Sequence, residues 1–105
     1  MPGPKAPSMA LKCAKAAITA GRFLPSVHFG QRLGLRRIDM TDVHTAIDRC
    51  TRVVPYGNGT PMNGGTCWRI IGPNCDGDAT IAVGIEIFAG VDGHPWITLC
   101  TVMDV

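Results

Sequence analysis

The sequence predicts an α+β domain in which N-terminal helices pack on an antiparallel meander sheet of three to four strands. Two observations carry that reading. Apolar residues recur every three or four positions up to about residue 52 and every second position after it, so helices come first and strands follow. The connections between the later segments are short and rich in Gly, Asn, Asp and Pro. Such connections suit hairpins and are too short for helical crossovers.

Residues 1–8 carry Pro2, Pro4 and Pro7 and read as a flexible leader before a single domain over 9–105. Ser8 is placed to cap a helix reaching about Ala20, with Gly21 as its left-handed terminator. Leu11, Ala14 and Ile18 form its apolar stripe, and Lys12, Lys15, Thr19 and Arg22 a basic one. Pro25 and Ser26 signal a second start and Gly34 a stop, giving a short helix over 26–33 with Phe29 and Leu33 inward. Asp39 or Thr41 opens a third helix to about Arg52, on which Met40, Val43, Ile47 and Cys50 recur at helical spacing.

Beyond that point the period becomes two. Val53–Tyr56 is a first strand, and the Gly-rich loop 57–65 leads to a second over Thr66–Ile71. Thr80–Phe88 places Ile81, Val83, Ile85 and Ile87 on a core face, and Thr80, Ala82, Gly84 and Glu86 on a partly wet one. Trp96–Met103 is the last strand. The expected core is Leu11, Ile18, Phe29, Leu33, Val43, Ile47, Ile81, Val83 and Ile85.

Composition limits what the chain can be. With 46 % hydrophobic and 17 % charged residues and a mean hydropathy of +0.17, it is too apolar for intrinsic disorder. No run of about 18 apolar residues is present, which excludes a membrane-spanning helix. The low charge implies that a partner covers part of the surface. Residues 1–52 hold nine basic and three acidic side chains, and residues 53–105 hold one basic and five acidic. A dipolar molecule of this kind attracts polyanions on one side or stacks on itself. Five cysteines, Cys13, Cys50, Cys67, Cys75 and Cys100, lack Cys-x-x-Cys spacing, and the N-terminus lacks the apolar core of a signal peptide. Free thiols in a reducing cytoplasm follow, with no metal and no cofactor expected.

The densest chemical signal is His28-x-x-x-Arg32-x-x-x-Arg36-Arg37. An imidazole beside guanidinium groups is the minimum equipment for RNA cleavage without metal. A base takes the 2′-hydroxyl proton, and planar guanidinium forks hold the phosphate. The alternative is a packed or capping histidine, with Arg32 paired to Asp39 or Asp42. Other features read as structure. Asn74-x-Asp76-Gly77-Asp78 lacks the spaced ligands of a calcium loop, Trp68 and Trp96 read as core or interface anchors, and His44 and His94 as surface residues.

His28-Phe-x-x-Arg32, Arg37-Ile38 and Asp42-Val43-x-x-Ala46-Ile47, followed by strands, resemble domain-of-unknown-function family 4258 over roughly Ser26 to Met103. Members of that family are small bacterial proteins, often on mobile elements, with a layout similar to RelE-like ribonuclease toxins. The resemblance implies His28 and Arg32 as catalytic candidates, with Arg36 and Arg37 as helpers. This chain differs from the pattern by its N-terminal helix, its Gly-rich loop and its strands poor in cations, where Arg69 is the one phosphate-binding candidate.

Set against this is a strand, Trp96–Met103, without any charge. Placed at a sheet edge it exposes Trp96, Leu99, Cys100 and Val102 and invites pairing between two copies. From the sequence, a non-catalytic module forming a homodimer or binding a protein partner is therefore favoured. A metal-independent RelE-like ribonuclease or RNA-binding toxin is the alternative.

Overall fold

A computed structural model describes residues 3–57 and 59–105. Pro2 of the expected leader and Asn58 of the Gly-rich loop lie outside them. The order of elements is α1 (Pro7–Ala20), β1 (Phe23–Pro25), α2 (Val27–Arg36), α3 (Met40–Asp48), β2 (Arg52–Pro55), β3 (Thr66–Pro73), β4 (Thr80–Ala89) and β5 (Pro95–Asp104). The class is the α+β architecture read from the sequence, with the helices N-terminal.

The sheet has five strands rather than three or four, in the order β1-β5-β4-β3-β2. Strands β2 to β5 form the antiparallel meander. The addition is β1, which runs parallel to β5 through the register Phe23 with Ile97 to Pro25 with Leu99. Three residues between a helix stop and a helix start are too few to show any periodicity, so this strand left no pattern to read.

That small strand reverses the placement of β5. It lies between β1 and β4, so Trp96–Met103 is not an edge. Leu99 and Val102 are fully buried, and Trp96 and Cys100 are half-buried. The actual edges, β1 and β2, are three and four residues long and each ends in proline. Short strands and a missing N–H are what discourage edge pairing, so the argument from an open apolar strand to a homodimer loses its footing.

The core packs α1 and α3 against the sheet. Ile18, Phe29, Val43, Ile47, Ile81, Val83 and Ile85 are buried as expected, whereas Leu11 and Leu33 are half-exposed. Ala10, Ala14 and Ala17 let α1 lie close to its neighbours, and Trp68, Ile70, Ile87 and Ile97 complete the interior. Helix α1 begins at Pro7 rather than after Ser8, and Ala6 supplies no side-chain cap. Upstream, the Pro4 carbonyl accepts a 2.8 Å hydrogen bond from Thr66 Oγ1, so part of the expected leader lies on β3. Helix α2 runs past Gly34 to Arg36. Arg37 takes the left-handed terminating position (φ 54°), and Ile38 is buried immediately after it.

Helix α3 ends at Asp48, not Arg52, and opens with a reciprocal capping box between Asp39 and Asp42. The second Asp42 oxygen accepts the Cys75 N–H at 2.9 Å and ties the helix to the β3–β4 turn. Hydrogen bonds from Cys75, then from Asp39, hold the Asp42 carboxyl below the usual aspartate range. Because the folded value is the lower one, this stabilisation is present above that range and is lost as acid titrates Asp42.

Candidate phosphate-binding cleft

Ser26 fixes where α2 starts. Its Oγ accepts the Phe29 N–H at 3.0 Å, and its own N–H donates to the Leu99 carbonyl at 3.0 Å. The first turn is thereby locked to β5. Phe29, with no exposed surface, sets the rotation of the helix. His28, Arg32 and Arg36 lie at intervals of four, so they follow one another along a neighbouring stripe.

That stripe borders a cleft of about 340 Å³. Its other walls are Tyr56 and Gly59, from the chain after β2, and Cys100, Thr101, Val102 and Met103 of β5. Of His28, Arg32, Arg36 and Arg37, grouped by their spacing, the fold brings the first three to one cavity. Arg37, at the helix terminus, is not part of its lining. Arg69 stands beside it on β3, with its guanidinium carbon 4.8 Å from the centre of the Tyr56 ring.

Arg32 pairs with neither Asp39 nor Asp42, which bond to each other. Its Nε lies 3.4 Å from His28 Nε2, which accepts the contact. Arg36 meets Asp104 at 3.7 Å, with both side chains well exposed. An ion pair of that kind is worth about 0–1 kcal/mol and exchanges readily for a better anion. The cleft is thus lined by one imidazole, two cations of α2 and Thr101. This set can bind a phosphate and move one proton.

Tyr56 reads in the sequence only as the end of a strand. The sequence also places Glu86 on the wet face of β4, and there the structure differs. Glu86 is 1 % exposed. Its carboxylate accepts the backbone N–H groups of Met62, Asn63 and Gly65 and the Asn63 side-chain amide, at 2.9–3.2 Å. Backbone donors compensate the buried charge, and the Gly-rich loop folds across this face. Ala82 and Gly84 are consequently buried as well.

The remaining candidates are structural. Asn74 Oδ1 accepts the Asp78 and Ala79 N–H groups in a tight turn with Gly77 at φ 75°. Trp68 is buried, and Trp96 donates to Asp92. His44 is exposed and meets Phe23 edge-on at 5.9 Å; His94 is exposed in its loop. Among the described residues no group of three His, Cys, Asp or Glu side chains is placed to hold a metal, and no helix is long and apolar enough to cross a membrane.

All five cysteines are free thiols. Burial, then the nearby Cys67 and Glu86, push Cys100 at the cleft floor up to about 11. The Asp42 carboxylate, as a hydrogen-bond partner, pushes the exposed Cys75 to about 11 as well. At pH 8 each holds about a hundredfold less thiolate than an ordinary cysteine. Alkylation followed by peptide mass spectrometry should show the Cys75 rate still rising between about pH 9 and 10.5, although the residue is open to solvent. A plateau by about pH 10, where an ordinary thiol is nearly all ionised, contradicts the Asp42 contact.

No protein-family model matches the sequence, and no curated protein or solved structure matches it either.

Proposed function

We propose that this chain is an RNA-binding domain that cleaves its substrate without metal, using the cleft between α2 and β5. The observation that carries the reading is that His28, Arg32 and Arg36 line one cavity together with Tyr56 and Thr101. In this mechanism Arg32 and Arg36 hold the phosphate and neutralise charge as it builds on the phosphoryl oxygens. His28 takes the 2′-hydroxyl proton as the 2′ oxygen attacks phosphorus. The bond from phosphorus to the 5′ oxygen breaks, leaving a 2′,3′-cyclic phosphate, and the leaving oxygen takes a proton from solvent. The resemblance to family 4258 and to RelE-like toxins supports the same assignment of His28 and Arg32.

Partner binding is the second reading, favoured by one observation. Leu24 on the β1 edge, Val27 at the start of α2 and Leu35 near its end are 52 %, 80 % and 76 % exposed. They are exposed apolar side chains that a second copy or another protein would cover, and Leu24 lies on the strand that flanks β5.

If cations of the cleft grip phosphates, affinity falls linearly with salt on logarithmic axes. Each contact with a single strand contributes a slope of about −0.7. Fluorescence anisotropy with a labelled, uncleavable 2′-O-methyl RNA should give a slope steeper than about −1, reduced by about 0.7 in Arg32→Ala and again in Arg36→Ala. A salt-independent affinity, or slopes unchanged by both substitutions, removes the cleft from the account.

A further inference from the structure

We propose that Tyr56, backed by Arg69, is a nucleobase-stacking subsite of the cleft, so that the polymer it takes is a single strand. The proposal rests on the reading of the cleft as a phosphodiester site and adds what that reading lacks, a part that recognises bases.

Tyr56 is the chain's single tyrosine and the one aromatic side chain among the described residues lining the cleft. Its ring has a built seat. A Cβ on Gly84 would meet Thr101 Cγ2 at 2.7 Å and ring carbon Cε2 at 3.2 Å, and one on Gly59 would meet Cys67 Cβ at 2.7 Å and ring carbon Cδ2 at 3.2 Å, so the ring packs closely against both glycines. The Arg69 guanidinium lies over one face of the ring, its carbon 4.8 Å from the centre, so the base takes the opposite face and the cation stands close to the strand's phosphates.

The backbone on either side is fixed. Tyr56 N–H donates to the Cys67 carbonyl at 3.1 Å, and its carbonyl accepts the Gly59 N–H at 3.0 Å. Farther along, the same loop is held by the four hydrogen bonds to buried Glu86. An aromatic ring fixed before binding loses little freedom on binding, which is what makes such a platform effective.

The chemistry selects the ligand. Every base presents a π-face, so stacking tolerates sequence and requires only that the face be free. In a duplex both faces are covered by neighbouring pairs. A single strand with one base turned onto Tyr56 and the adjoining phosphate between Arg32 and Arg36 satisfies both parts of the cleft.

The test compares two labelled, uncleavable strands of equal phosphate number, one with bases and one abasic, by fluorescence anisotropy. The wild-type protein is expected to bind the base-bearing strand about tenfold or more tightly than the abasic one. Tyr56→Phe keeps that preference, whereas Tyr56→Leu, which fills the seat without a π-face, abolishes it. Circular dichroism checks that each variant is folded. Equal wild-type affinity for the two strands overturns the proposal whether or not Tyr56→Leu folds. A preference surviving in folded Tyr56→Leu overturns it too. Binding of neither strand by wild type fails differently, because it removes the phosphodiester reading of the cleft and this subsite with it.

Discussion

Ile85→Asp unfolds the domain. Ile85 has no exposed surface and sits in β4, between Trp68 of β3 and Leu99 of β5. The helices close the same interior over it. An aspartate there has no cation within the core to pair with, and an unpaired buried charge costs several kcal/mol. Domains of this size have roughly 5–15 kcal/mol in total, so the substitution removes most or all of the margin. Far-ultraviolet circular dichroism is expected to lose its native signal at 25 °C. Ile85→Val, which deletes one methylene, should cost only about 0.5–1.5 kcal/mol in urea titration and keep the fold. A native spectrum for Ile85→Asp would mean that β4 does not run through the core.

The contrast between Ile85 and its neighbour Glu86 shows what a linear reading can reach. Ile81, Val83, Ile85 and Ile87 alternate cleanly, and alternation alone places them inside. The same alternation puts Glu86 outside, and by periodicity that is correct, since it lies on the opposite face. What buries it is a loop more than 20 residues earlier in the chain, whose N–H donors have no sequence signature. The strand β1 escaped for a related reason, being defined by its partner β5 rather than by its own three residues. Without β1, nothing in the sequence decides whether the uncharged strand Trp96–Met103 is an edge or central.

The site was legible to the extent that it lies on one helix. His28, Arg32 and Arg36 sit at intervals of four, so local geometry brings them together wherever the helix packs. Tyr56 and Thr101 reach the cleft through tertiary contacts, from a strand end and from a β-bulge region of β5. Arg37, adjacent to Arg36 in sequence, leaves the group because the helix ends there in a left-handed turn.

If His28 and Arg32 cleave RNA in this cleft, removing them has a large effect. A positioned proton-transfer group contributes about 10²–10⁴ in rate, and a donor to the developing phosphoryl charge roughly 10²–10³. Replacing both should lower the rate at least about a hundredfold, while the exposed and half-buried positions leave folding intact. The direct measurement incubates structured RNA containing single-stranded loops with the purified protein in EDTA, beside the His28→Ala, Arg32→Ala double variant, and follows the fragments and their ends over time. The wild-type protein is predicted to release fragments ending in 2′,3′-cyclic phosphate while the variant, folded by circular dichroism, leaves the RNA whole. Equal cleavage by the two proteins, or none by either, contradicts the account.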